Sequence, residues 1–164
     1  MLKVFLSHSV TADDYSLVIS IANVMWQGGA IVFVAEWVPR YPKDVRKVNK
    51  TTAIQIDTSD VVLGIATAKS RRGAWMQHEL EYATTKGKRV VFLAEEGANT
   101  EPLQVALGQL PVTRFSRGGY AATARGVLDA LDHEQVNGNT QGFTSLLLLG
   151  LGFWTLSEMP RLKN

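Results

Sequence analysis

Apolar residues along this chain fall into two kinds of run. Continuous short runs alternate with longer stretches whose apolar positions recur every three or four residues. The first short run is LKVFLS at 2–7. It is broken by SHSVTADD, where Thr11 with Asp14 three residues later forms a capping box for a helix. That helix carries Leu17, Ile21, Val24 and Met25 at helical spacing and stops at Gly28-Gly29. Further strand-like runs are AIVFVA at 30–35, VVLGIAT at 61–67, RVVFLA at 89–94 and the more polar PVTRF at 111–115, which has the character of an edge strand. Helices are predicted from Asp44 to about Asp57, from about Gly73 to Gly87, over a short turn at Leu103–Leu107, and from Tyr120 to Leu131. The segment EWVPRYPKDVRK, with Pro39 and Pro42, reads as a loop.

Strands alternating with helices through short loops predict an α/β fold, a parallel sheet covered on both faces. Five strands in some 130 residues fit a flavodoxin-like sheet of order 2-1-3-4-5, whose ligand crevice opens at the C-terminal ends of strands one and three. Here those ends are Ser7-His8-Ser9 and Thr67 to Ser70. The helix leaving the second end contains RRGAWMQHELEYA at 71–83. Met76, Leu80 and Ala83 form its apolar flank, while Trp75 and Glu79, four apart, stack on a neighbouring flank beside Tyr82. Topology alone therefore places an indole and a carboxylate at the mouth of the sheet. The competing reading is a half-buried Trp on the sheet beside a solvated Glu.

Composition removes several chemistries. There are no cysteines, which excludes disulfides, thiol nucleophiles and thiolate metal sites. Three histidines (His8, His78, His133) at irregular spacing give no metal-binding pattern, so no metal is expected. The net charge of +2 is too small to suggest nucleic acid as a partner. No secretory signal is visible at MLKVFLSHS, so the expected location is the cytoplasm. Apolar residues are 46% of the chain, enough for one packed domain. That domain is expected over 1–133. A linker follows at 134–141, marked by Asn137-Gly138-Asn139, and then an apolar helix at 142–159. Its core, GFTSLLLLGLGFWTL, would reach about 22 Å as a helix, short of a hydrocarbon core of about 30 Å. Anchoring to the inner membrane, lying at its interface and burial against another subunit remain open; Trp154 suits a headgroup boundary, and Gly150 and Gly152 suit close helix contact.

Four pieces, in order, resemble the Toll/interleukin-receptor (TIR) domains, especially bacterial ones. They are FLSHS at 5–9, Ala53-Ile54 followed by Ser59-Asp60, Trp75 through Leu80, and Lys88-Arg89-Val90-Val91. The resemblance spans about residues 1–132. It lacks the acidic-then-Pro-Gly signature after strand two and has Ala74 where many members carry Ser. Enzymatic members cleave the nicotinamide–ribose bond of NAD+, so the resemblance implies an NAD+ glycohydrolase or ADP-ribosyl cyclase in bacterial immunity or cell suicide. It implies Glu79 as the catalytic carboxylate, with Phe5, His8, Ser9, Glu36 and Trp75 binding substrate. NAD+ is then substrate, not cofactor, and a homo-oligomer formed through TIR–TIR contacts would complete the site. A non-catalytic interaction module and a nucleoside deoxyribosyltransferase-like enzyme are the alternatives. A phosphoryl-accepting receiver is disfavoured, because strand three ends in Thr67 and not in an acidic acceptor. Asp13-Asp14 reads as helix-start charge. The cluster Arg40, Lys43, Arg46, Lys47, Lys50 and the pair Arg71-Arg72 read as solvated faces or as contacts for a pyrophosphate or an acidic partner.

Overall fold

A computed structural model describes residues 1–36, 48–70, 74–108 and 110–137. Its strands are β1 (Lys3–Ser9), β2 (Ile31–Val34), β3 (Val61–Ala66), β4 (Arg89–Glu95) and β5 (Val112–Phe115). They form one parallel sheet in the order β2-β1-β3-β4-β5, as the alternation of runs predicts. The inner strands β3 and β4 are apolar and buried along nearly their whole length, because a strand covered on both faces has no polar side to show, whereas the equally apolar β2 lies at an edge and is only partly buried.

Helices α1 (Tyr15–Gln27), α2 (Lys50–Thr58), α3 (Ala74–Thr85), α4 (Glu101–Leu107) and α5 (Tyr120–Asn137) cover the sheet. The period-two alternation of the strands divides the core in two. Val4, Leu6, Leu63, Ile65, Val91 and Leu93 pack under α1 and α5. Phe5, Val62, Ala66, Val90, Phe92 and Ala94 pack with Ile56 of α2 and with Met76, Leu80 and Ala83 of α3, the apolar flank expected for that helix. Gly29 and Gly87, at φ of +93° and +66°, end their helices where the sequence places the stops.

Several boundaries move, each for a local reason. The capping box at Thr11 does not form. Thr11 makes no side-chain cap bond, and Asp14 turns inward to Thr67 and Arg117. A three-residue 3-10 turn, Ala12–Asp14, starts this segment instead. Helix α2 begins at Lys50, later than Asp44, because Asn49 is extended and its carboxamide accepts from the Thr52 amide at 2.8 Å. At its other end Lys88 Nζ donates to the carbonyls of Asp57 and Ser59 at 2.6 and 2.8 Å, satisfying groups that a helix terminus leaves open. Helix α5 runs on past Leu131, so residues 134–137 of the expected linker are helical. The expected helix at 142–159 lies outside the described residues, and no described helix is long and apolar enough to cross a membrane.

Candidate active site

Helix α3 lies against the sheet over Gly64. A Cβ at that position would sit 2.6 Å from the Phe92 ring and 3.2 Å from Leu80. The missing side chain therefore lets α3 and Phe92 close onto β3. Gly64 is the register partner of Ser7 in β1, so the same gap brings α3 within reach of the β1 terminus. There Ser7 Oγ donates to Glu79 Oε2 at 2.5 Å, joining residues 72 positions apart. Ser7 is 0% exposed and Glu79 1%. The solvated Glu of the competing sequence reading is thus ruled out.

The other carboxyl oxygen, Oε1, is buried and has no hydrogen-bond partner among the described residues. Burial disfavours the charged form and pushes the Glu79 pKa up from 4.5 to about 7, against the opposing pull of the Ser7 hydroxyl and then the Trp75 side chain. An acid held near neutrality at the end of a sheet can act in either protonation state at physiological pH. Trp75, one turn earlier on α3, is half-buried.

The remaining predicted residues spread around this pair. Phe5 is fully buried two residues before Ser7, packed in the α2/α3 core. His8 points to the opposite face, where its ring centroid lies 5.4 Å from that of Tyr15. Its Nε2 donates to the Ala35 carbonyl at 2.9 Å, which fixes the end of β2. Burial lowers the His8 pKa, with the Ala35 bond pulling the other way. Ser9 is half-buried at the last position of β1, beside Ala66. Glu36 is exposed, two residues beyond β2. Of the basic cluster, Lys50 is exposed at the first turn of α2; Arg40, Lys43, Arg46 and Lys47, like Arg71-Arg72, lie outside the described residues. No group of side chains suited to a metal ion occurs among the described residues.

A second constellation at the same end of the sheet is not anticipated from sequence. Arg117, after β5, donates from Nε and Nη2 to both carboxyl oxygens of Glu95 at 2.7 and 3.0 Å, and from Nη1 to Asp14 Oδ1 at 2.9 Å. Thr67 Oγ1 donates to Asp14 Oδ2 at 2.7 Å, the Ala68 amide to Glu95 Oε2 at 2.9 Å, and the Thr67 amide to Ser70 Oγ at 2.7 Å. One guanidinium thus ties together the segments that leave β1, β3, β4 and β5. Burial alone would raise the Asp14 pKa, but Arg117 and Thr67, with the charge of Lys69, outweigh it and hold the carboxyl below its usual range. Glu95 is held low chiefly by Arg117. Asp14 is therefore a buried ion-pair partner and not merely charge at a helix start. Its signal in the sequence is faint, since Asp14, Glu95 and Arg117 are far apart in the chain.

No protein-family model matches this sequence, and no curated protein is detectably similar to it. Among solved structures, a CMP N-glycosidase of Clostridium botulinum superposes with a TM-score of 0.50 at 15% identity, over 74% of this chain and 96% of that one. The TIR domains of the activated Roq1 resistosome recognizing the effector XopQ give 0.47 at 14% identity, over 90% and 81%. A candidate quinone reductase of Klebsiella pneumoniae gives 0.46 at 12%, over 80% and 84%. At these identities the likeness is one of fold, and a fold of this kind hosts many chemistries.

Proposed function

We propose that this chain cleaves an N-glycosidic bond, and that its substrate is NAD+, opened at the nicotinamide–ribose bond in the manner of TIR-domain enzymes. The observation that carries the proposal is the Ser7–Glu79 pair. A glutamate held at 1% exposure on the sheet side of α3 serves no obvious packing purpose among Met76, Leu80 and Ala83. An apolar residue there would avoid the cost of burying a carboxyl.

The chemistry asks for little beyond that carboxylate. When the C1′–N bond breaks, its electron pair passes to the pyridinium nitrogen, and nicotinamide leaves neutral without a general acid. The ribose carbon becomes cationic in the transition state and is stabilised by negative charge fixed nearby. Glu79 supplies that charge, and the approaching cation favours its ionised form. Water attacking C1′ gives ADP-ribose and a proton; an internal nucleophile of the substrate gives a cyclic product. Trp75 walls the pocket or stacks on a flat ring, Ser9 and Glu36 border the crevice, and His8, on the other face of β1, acts only through its hold on the Ala35 carbonyl. Because the carboxyl is sealed in the isolated chain, substrate binding has to expose Oε1, and assembly into a homo-oligomer is the proposed trigger. The proposed setting is bacterial immune signalling or cell suicide, with the apolar tail making contact with a membrane or with further copies.

The same 1% exposure favours a second reading, a non-catalytic interaction module in which Glu79 is structural. Incubation of concentrated protein with NAD+ separates the two by release of nicotinamide. Release from the parent, with at least a hundredfold loss in Glu79→Gln, is expected. Undiminished release by that variant would refute the site, and no release at any concentration would favour the module. Preferential cleavage of CMP or deoxynucleosides in parallel reactions would keep the carboxylate and change the substrate.

A further inference from the structure

The Ser7 hydroxyl stands in an unusual position for a residue with no assigned part in the chemistry. It is completely buried, near the end of a central strand, and its short bond to Oε2 spans the gap between strand and helix. Three observations make more of it than a satisfied core serine. First, the approach of α3 that creates the contact depends on the absence of a side chain at Gly64, directly beside Ser7 in the sheet. Second, the short bond goes to Oε2 while Oε1 has no close partner among the described residues, and the pull of the Trp75 side chain on the carboxyl is weaker than that of Ser7. Third, the neighbouring histidine is not a substitute. His8 faces the other side of the sheet and is committed to the Ala35 carbonyl.

We propose that Ser7 is the positioning residue of this site: its hydroxyl fixes Oε2 and so leaves Oε1, the buried oxygen without a partner, to meet the sugar carbon. The proposal rests on the reading of Glu79 as the reacting carboxylate. Ser7 does not itself act as a nucleophile. It stops the carboxyl group from rotating about its terminal torsion, which is otherwise broad, and its O–H favours the charged form. Glu79 reaches the crevice already aimed, and one of its two oxygens is spent in aiming it.

The test reads the carboxyl directly. In protein carrying 13C-labelled glutamate carboxyls, the Glu79 resonance, identified by its absence from Glu79→Gln, is titrated in the parent, in Ser7→Ala and in Ser7→Cys. Loss of a hydrogen bond to a charged group corresponds to about 1–2 pH units. The Ser7→Ala midpoint is expected to rise by that amount, and Ser7→Cys, which keeps a weak donor of similar size, by less in the same direction. In NAD+ cleavage the acid limb of the rate profile moves up equally. Above it, where Glu79 is ionised in every form, kcat stays about tenfold lower in Ser7→Ala while KM changes less than about twofold, as expected for lost aim. A midpoint unchanged in both variants, or a high-pH kcat equal to that of the parent, overturns the role of Ser7. If Ser7→Ala does not fold, the Ser7→Cys titration decides. Should the parent cleave no NAD+ while the midpoint still moves, the hold of Ser7 on Glu79 stands and the proposed substrate alone falls.

Discussion

Replacing Glu79 by Gln should make the protein more stable relative to the parent as the pH rises, even as it removes the proposed activity. The unfolded chain ionises Glu79 near 4.5, whereas burial in the folded chain moves that event to about 7. Between these values the folded state holds a proton that the unfolded state has released, so parental stability falls as pH rises through the window. A displacement of about 2.5 pH units at about 1.4 kcal/mol each comes to about 3 kcal/mol. For a domain whose total stability is of order 5–15 kcal/mol, that is a large fraction. The carboxyl is almost fully buried, so solvent screening takes little of it away.

The measurement is urea unfolding of parent and Glu79→Gln at several values between pH 4 and 8, read as the difference between the two proteins. The difference matters because other groups titrate in the same range. His8, with its lowered pKa, acts with the opposite sign, since its stabilising influence is lost as pH falls below its ordinary value of 6.5. It lies on the other face of the sheet from Glu79, so its contribution cancels between the variants. The Gln amide places donors where Oε1 finds no partner, which costs about 1–3 kcal/mol at every pH and displaces the whole curve without changing its slope. The parent is expected to lose about 3 kcal/mol relative to the variant from pH 4 to pH 8. A difference constant to within about 1 kcal/mol over that range would refute the buried, proton-holding carboxyl.

Other expectations follow from the same geometry. Arg117→Ala leaves two buried carboxylates without their counter-charge. Its cost should be about 2–3 kcal/mol in urea unfolding, below the 3–5 of a fully buried pair because the guanidinium side chain is 49% exposed. The gap between parent and variant should narrow as pH falls, because Asp14 and Glu95, held low by Arg117 only in the parent, lose that stabilisation as they take up protons. Urea unfolding of both proteins at several pH values from 7 downward checks this, and a difference that does not shrink with acid would count against the network. Gly64→Ala forces a Cβ against Phe92 and Leu80 and should cost about 1–3 kcal/mol while lowering NAD+ cleavage more than a remote change of equal cost. Equal losses of activity from both would show that the Gly64 gap does not serve the Ser7–Glu79 contact.

The legible part of this fold is the part dictated by period. Uninterrupted runs such as VVLGIAT specify strands buried on both faces, and the spacing of Met76, Leu80 and Ala83 specifies the face by which α3 docks. Alternating with helices, such runs indicate a parallel sheet of flavodoxin-like size, and the order expected of those sheets supplies the crevice and with it the neighbourhood of Glu79. What period does not carry is the direction in which a polar side chain turns. Thr11 and Asp14 have the spacing of a capping box, yet Asp14 finds a stronger partner in Arg117, which lies 103 residues further along the chain. Ser7 looks like one more small residue in FLSHS, and its contact with Glu79 appears only when Gly64 lets the helix down onto the sheet. Helix α2 starts at Lys50 and not near Asp44, because the extended Asn49 caps it, a feature of side-chain geometry that apolar spacing does not show.

The two polar constellations at this end of the sheet use opposite electrostatics. Around Arg117 every carboxyl oxygen of Asp14 and Glu95 has a donor, both acids are held in their charged form, and the result is a clasp across four strand ends. At Glu79 burial outweighs the bonds from Ser7 and Trp75, and Oε1 has no close described partner, so the acid is held near neutrality at a cost to stability. A scaffold needing only rigidity would have used the first arrangement twice. The clasp braces the Thr67–Ser70 turn at the end of β3. A ligand that donates to Oε1 would recover the missing interaction on binding, so the proposed affinity for a sugar hydroxyl and the loss of stability of the empty protein at high pH would have a single origin.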